Sequence, residues 1–200
     1  MCRITSFMVT LALLLLLLLA LVGKWLGPPT CPNIVTKLDF DYTRYAGDWF
    51  EISRIENVFQ YQMYCVRARY EGTEEPGVVS VYNVATRPSG EFTSISGSAS
   101  APNASAPGTL VVEFPGQPNG NYWVLDTDYT NWAAVYSCDS ILGLTVQFGW
   151  ILARENAVTE DVYNRAMTNF AQYGIDTTLF QKFYHGEDCV YDAPEVPQRS

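Results

Sequence analysis

The segment Thr145-Val146-Gln147-Phe148-Gly149-Trp150-Ile151-Leu152-Ala153, ending at Arg154, is the stretch from which the fold is read. Val146, Phe148, Trp150 and Leu152 share one face of an extended chain, and Thr145, Gln147 and Gly149 share the other. That period of two is the mark of a β-strand with one apolar side. Working back toward the N-terminus, seven more short runs of the same kind appear. They are Gly47–Ile55, Tyr64–Glu71, Val78–Thr86, Glu91–Ala101, Thr109–Phe114, Asn121–Asp126 and Asn131–Cys138. The breaks between them carry turn residues, among them Glu75-Pro76-Gly77, Arg87-Pro88-Ser89-Gly90 and Pro115-Gly116-Gln117-Pro118-Asn119-Gly120. Connections this short make consecutive strands antiparallel neighbours. Eight strands in up-and-down order, with no helix to cover a sheet face until late, predict an all-β, eight-stranded antiparallel barrel.

One helical pattern follows. Val162, Ala166, Met167 and Phe170 recur at helical spacing, Thr159 stands as N-cap, Glu160 and Asp161 fill the first turn, and Gly174 follows as C-cap. A helix over about 160–173 is therefore expected against the outside of the barrel.

Composition narrows the function. Of 200 residues, 48% are hydrophobic and 16% charged, a globular balance. Twelve Lys and Arg against 21 Asp and Glu give a net charge of −9, which leaves no basic footprint for nucleic acid. A single histidine, His185, excludes most histidine metal centres and Ser–His–Asp hydrolases, and no metal site is expected. His185 reads as a surface or C-terminal structural residue.

The start of the chain reads as an export signal over residues 1–23: Arg3, then a run from Phe7 to Val22 that is apolar apart from Thr10, with leucine unbroken from Leu13 to Leu19. An uncleaved membrane anchor is the alternative reading. Its removal takes Arg3 and no acid, so the remainder is one unit more negative. A loose Pro-rich segment (24–30), a domain (31–190) and a tail (191–200) follow. Cys2 leaves with the signal; Cys31, Cys65, Cys138 and Cys189 remain, an even set that fits an oxidising, extracellular compartment. Four cysteines allow three pairings. Asn103-Ala104-Ser105 is a glycosylation sequon in a Pro/Ala/Ser stretch, expected on an exposed turn.

The faces of the strands suggest what the barrel holds. The inward rows are expected to enclose an aromatic-walled space free of its own side chains, with lone polar groups such as Glu51 and Asn83. The ligand-lining candidates are Tyr70, Val81, Asn83, Trp123, Leu125, Tyr136, Phe148 and Trp150, with Asn83 as polar anchor. The opposite row of the second strand, Arg67, Arg69 and Glu71, is expected in solvent. Val58–Met63 joins the first two strands as part of a lid, with Phe59 and Tyr61 available to cover a guest.

Three short motifs stand in order on these elements. Gly47-Asp48-Trp49 opens the first strand, Thr127-Asp128-Tyr129 lies between the sixth and seventh, and Arg154 follows the eighth. This set resembles the three lipocalin motifs. Within that family the similarity is greatest to the branch of apolipoprotein D and the insect bilin-binding proteins. It covers about Cys31 to Cys189 and is carried by Cys31-Pro32-Asn33, Tyr45 to Ile52, Tyr122-Trp123-Val124-Leu125, Val135-Tyr136-Ser137-Cys138 and Phe148 to Arg154. The resemblance implies pairings Cys31–Cys138 and Cys65–Cys189, and a structural role for Gly47, Trp49, Thr127, Asp128, Tyr129 and Arg154. It also implies a secreted carrier of a small hydrophobic ligand such as a fatty acid or sterol-like molecule, with a bilin or carotenoid pigment as the alternative guest and no cofactor required. A cell-surface receptor or a lipoprotein particle is a further partner of that reading. The Gly- and Pro-rich turn Pro115–Gly120 argues against membrane insertion there. Catalysis by Cys65 is not expected, since a disulfide sulfur is no thiolate.

Overall fold

The computed structural model describes residues 30–141 and 144–192. The expected export signal, residues 24–29 of the loose segment and residues 193–200 of the tail lie outside the described residues. The described chain forms two compact units. In the smaller, Cys31 is bonded to Cys138 across a sequence separation of 107. The larger comprises residues 32–137 and those from 148 onward, and it carries the barrel interior.

The eight strands are β1 (Gly47–Ile55), β2 (Tyr64–Gly72), β3 (Val78–Thr86), β4 (Phe92–Ser100), β5 (Thr109–Glu113), β6 (Gly120–Thr127), β7 (Trp132–Ile141) and β8 (Leu144–Ala153). They pair in the order β2-β3-β4-β5-β6-β7-β8-β1, and β1 also pairs with β2, so the sheet closes. Helix α1 (Tyr42–Tyr45) precedes the barrel and helix α2 (Glu160–Ala171) follows it. The Thr159 hydroxyl accepts from the Val162 N–H at the start of α2. Tyr163, Ala166 and Phe170 are its buried stripe, and α2 packs on β6. A short strand β9 (Phe180–Lys182) pairs with Ser53–Ile55 of β1. Both α1 and β9 are too short to leave a periodic signal in the sequence.

Strand β1 changes partner along its length. Gly47–Phe50 pair with Tyr70–Arg67 of β2, and the later residues pair with β9 instead. The register against β8 shifts between Glu51 and Ser53, a bulge. Glu51 then sits opposite Leu152, and Arg54 opposite Trp150. In an unbroken strand residues three apart face opposite ways; the bulge turns Glu51 and Arg54 to the same side.

Arg154 holds the closed end. Its guanidinium carbon lies 3.9 Å from the centroid of the Trp49 ring, and Trp49 has no exposed surface. The same guanidinium donates to four carbonyls: Asp48 (2.8 Å), Tyr129 (3.0 Å), Arg44 (2.9 Å) and Tyr45 (3.3 Å). Gly47 adopts φ +97°, and a side chain there would meet Arg154 Nη1. The Trp49 indole donates to the Tyr45 carbonyl at 2.8 Å, completing a plug in which Tyr45 stacks on Trp49. In the β6–β7 turn the Asp128 carboxylate accepts from the backbone N–H of Thr130, Asn131 and Trp132 and from the Asn131 side chain. Thr127 Oγ1 accepts from the Tyr129 N–H and donates to the Trp132 carbonyl, and Tyr129 takes φ +68°. The Tyr129 hydroxyl donates to the Asp39 carbonyl, and the Arg44 guanidinium lies 4.0 Å from its ring.

The C-terminal segment is fastened to β2. Cys65 is bonded to Cys189, and the Cys65 N–H donates to the Tyr184 carbonyl. Both disulfides are those the family resemblance implies. Arg69 reaches out to Asp48 at 2.7 and 2.9 Å, as an outward residue should. Arg67 departs from the expectation of a solvated row: it is buried, donating to the Tyr191 carbonyl at 2.7 Å with Asp192 beside it. Asn103 is exposed on its turn, its side-chain carbonyl accepting from the Ser105 N–H.

Two outcomes follow for stability. Arg154→Ala removes the cation–π contact and four charged hydrogen bonds together, and urea denaturation should show a loss of about 3 kcal/mol or more. Arg154→Lys should recover only part of it, since an ammonium cannot span four acceptors in a plane. At Asp128, burial opposes ionisation, but the Asn131 side chain and the three backbone N–H groups outweigh it and hold the carboxyl below its ordinary value. Its contribution is therefore present above the unfolded-state pKa and lost as pH falls through the folded one. Asp128→Ala should cost about 1–2 kcal/mol at neutral pH, and the gap to the parent protein should close below about pH 4.

Candidate functional site

The barrel interior begins above Trp49. Tyr45, Tyr70, Val79, Val81, Ala99, Leu110, Val124, Ala133, Val135 and Leu152 form one buried cluster, with Tyr122 and Trp150 packed against it. At its base three tyrosines form a chain: the Tyr122 hydroxyl lies 2.8 Å from that of Tyr45 and 2.8 Å from that of Tyr70. Burial raises the pKa of all three, so they are neutral hydrogen-bonding groups. The space left among Phe40, Tyr45, Tyr70, Val79, Leu110 and Tyr122 is only about 10 Å³, room for a single water. The expectation of an interior free of its own side chains is corrected here: the lower half is filled with rings.

The upper half differs. Asn83 faces the same side as Ala68 and Val81, and its Oδ1 is buried with no hydrogen-bond partner in the protein. Phe148 and Trp150 stack with their planes 9° apart and ring centroids 5.9 Å apart. Asn83, Phe148 and Trp150 keep intermediate exposure although they belong to inward rows.

Of the eight candidate lining residues, Tyr70, Val81, Asn83, Phe148 and Trp150 stand on inward rows. Trp123, Leu125 and Tyr136 do not. Val124 pairs with Val135 in the interior cluster, so the neighbouring pair Trp123 and Tyr136 points the other way, with ring centroids 6.3 Å apart. Leu125 sits at a register shift between Val124 and Asp126 and is buried outside the interior cluster. The reason is α2. It covers the outside of β6, so both faces of that strand are apolar and alternation no longer marks the inside.

Residues outside the eight lining candidates complete the mouth, among them Glu51, expected as a lone polar group of an inward row. Glu51 is buried, and its Oε1 accepts from Arg54 Nη1 at 2.6 Å. Its Oε2 accepts from the side-chain amide of Gln60 at 2.6 Å. The Gln60 carbonyl oxygen in turn accepts from the Trp150 indole N–H at 2.9 Å and from the Asn57 amide at 3.2 Å. Arg54 has no exposed surface; its Nη2 donates to the carbonyls of Gln60 (2.6 Å) and Met63 (3.0 Å), and its plane lies 3.5 Å from the Phe183 ring centroid. Arg54 Nε is buried without a partner. Burial pushes the Glu51 carboxyl up, against the pull of Arg54 and Gln60. Gln60 supplies the polar part of the lid, while Phe59, though 60% exposed, holds its ring centroid 6.0 Å from that of Phe148; Tyr61 is 52% exposed. Only the bulge in β1 explains this cluster, and a bulge has no sequence signature as plain as a turn's.

His185 lies outside the barrel. Its Nε2 is 2.8 Å from the Glu51 carbonyl and its Nδ1 2.8 Å from the Tyr191 hydroxyl. A carbonyl only accepts, so Nε2 carries the proton and Nδ1 accepts from Tyr191. Burial lowers its pKa, consistent with a neutral, structural ring. Cys65 is occupied by its disulfide and offers no nucleophile.

Comparison with known proteins agrees with this architecture. A family model described as a lipocalin-like domain matches residues 40–185. Apolipoprotein D from Macaca fascicularis is 40% identical over 155 residues, covering 72% of this chain and 80% of the relative. Insecticyanin from the tobacco hornworm Manduca sexta superposes with a TM-score of 0.73 at 28% identity, over 82% of this chain and 91% of that one. Lobster apocrustacyanin A1 superposes at 0.70 with 21% identity, over 82% and 93%, which shows the shared fold. With its closed eight-stranded barrel, its external helix and its Arg154–Trp49 plug, the chain belongs to the lipocalin-like family.

Proposed function

We propose that this protein is a secreted carrier that holds a small lipophile in the upper half of its barrel. A fatty acid, a sterol-like molecule or another apolar guest of similar size fits the reading. The observation that supports it best is the combination of stacked Phe148 and Trp150 with the unpartnered Asn83 Oδ1, an apolar wall with one free acceptor. Binding needs no chemistry: apolar surface leaves water at about 25 cal/mol per Å², offset by the cost of ordering guest and loop. The filled lower half limits how deep the guest goes, and Gln60 has to yield for it to enter. The two disulfides favour an extracellular setting, and Asn103 on its exposed turn suits a glycan. The disulfide at Cys65 and the external His185 favour binding over catalysis. Among the described residues no helix is long and apolar enough to cross a membrane.

A pigment as guest is the second reading. It is favoured by the nearly parallel Phe148 and Trp150 planes, which suit a flat conjugated system, and by the resemblance to the bilin-binding branch.

Titrating the purified protein with oleic acid, cholesterol and biliverdin separates these. Intrinsic fluorescence should be quenched by at least one of them, and Trp150→Phe should abolish most of that signal while Trp123→Phe leaves it. Biliverdin acquiring a shifted visible band on binding would select the pigment reading. No quenching by any of the three would sink the carrier assignment.

A further inference from the structure

The cluster at the mouth suggests what kind of head group the guest carries. Gln60 belongs to the loop between β1 and β2, yet its amide lies inside, donating to Glu51 at 2.6 Å and accepting from Trp150 at 2.9 Å. It is half-buried, whereas Glu51 is a buried strand residue whose other oxygen is taken by Arg54. The subsite therefore offers one charged acceptor and one N–H donor side by side, and a carboxamide satisfies both.

We propose that Gln60 is an internal surrogate for the ligand's head group, and that the barrel selects lipophiles ending in a neutral donor–acceptor group, a primary amide above all, over free carboxylic acids. This inference rests on the carrier reading and narrows it.

The discrimination is electrostatic. An amide replacing Gln60 reproduces both hydrogen bonds. An alcohol has one oxygen to serve both partners, which are spaced for the two ends of an amide, and so fits less well. A carboxylate has two acceptors and no donor, and it would set a negative charge against Glu51 Oε2 in a site screened from water. Both terminal nitrogens of Arg54 are engaged, Nη1 by Glu51 and Nη2 by the Gln60 and Met63 carbonyls and, at 3.4 Å, by the Glu56 carboxylate, so neither is free to neutralise the newcomer. The loop can release Gln60 without unfolding the barrel, because its backbone is held separately by Asn57 Oδ1, which accepts from the Phe59 and Gln60 N–H groups.

The test is a matched series with one chain length: palmitamide, palmityl alcohol and palmitic acid, titrated at neutral pH by Trp150 quenching and by calorimetry. Palmitamide should bind roughly tenfold to a hundredfold more tightly than palmitic acid, the worth of a hydrogen bond to a charged group, with the alcohol between. Gln60→Ala, a change on a half-exposed loop, should tighten palmitamide binding several-fold by removing the internal competitor. Glu51→Gln, checked for folding by circular dichroism, should shrink the gap between amide and acid. Palmitic acid binding as well as the amide or better would mean that Arg54 faces the guest, and would overturn the inference while the carrier reading stands. Unchanged or weaker amide binding by Gln60→Ala would overturn it too. If none of the three binds, and oleic acid, cholesterol and biliverdin also fail, the carrier reading and the inference fall together.

Discussion

The guanidinium of Arg154 is the contact on which the rest of the molecule depends. It lies flat on Trp49 and gathers carbonyls from the turn at Arg44 and Tyr45, from the first residues of β1 at Asp48, and from the β6–β7 turn at Tyr129. These carbonyls come from positions as far apart in the chain as Arg44 and Tyr129. A closed barrel has no free edge, but it needs one end sealed if its interior is to stay apart from water, and that end cannot be sealed by a sheet. A planar cation with five donors suits the task because the unsatisfied carbonyls of several turns converge on one spot. The short segments around it are fixed by this convergence together with local caps, such as the Asp41 carboxylate that accepts from the Thr43 and Arg44 N–H groups at the start of α1.

Much of the fold is legible from residue order alone. The eight strands begin and end within about two or three residues of their pattern, because Gly, Pro, Asn and Asp punctuate them and the inward rows alternate. The site is less legible, and for a definite reason. Alternation identifies the inside only while the two rows differ in residue type. On β8 the outer row is buried too, but it begins with Thr145, Gln147 and Gly149, so the alternation of residue type survives and Phe148 and Trp150 stand out on the inward row. On β6 the packing of α2 makes the outside apolar as well, and Trp123, Leu125 and Tyr136 fall on the wrong side. On β1 the bulge reverses the alternation between Glu51 and Arg54, so a buried ion pair emerges from two residues that a regular strand would keep apart.

That ion pair illustrates a general tension. Two buried charges cost more in lost hydration than they return unless further polar groups complete their shells. Here the completing groups are the Glu56 carboxylate just past β1 and, from the segment that covers the mouth, the loop carbonyls and the Gln60 amide. Closing the mouth and satisfying Glu51 and Arg54 are thus one event. A guest that enters must take over part of that role, which is why recognition and gating share the same atoms.

The handover of β1 from β2 to β9 has a mechanical consequence. Only Gly47–Phe50 seal the barrel to β2, at the floor; above them the two strands part, and the bond between Cys65 and Cys189 bridges the C-terminal segment to β2 beside that split. The C-terminal segment caulks that split from both sides: the Phe183 N–H and His185 Nε2 donate to the Ile52 and Glu51 carbonyls of β1, and the Tyr184 carbonyl accepts from the Cys65 N–H of β2. The sulfur–sulfur bond makes this seam permanent where direct pairing between the two strands has stopped.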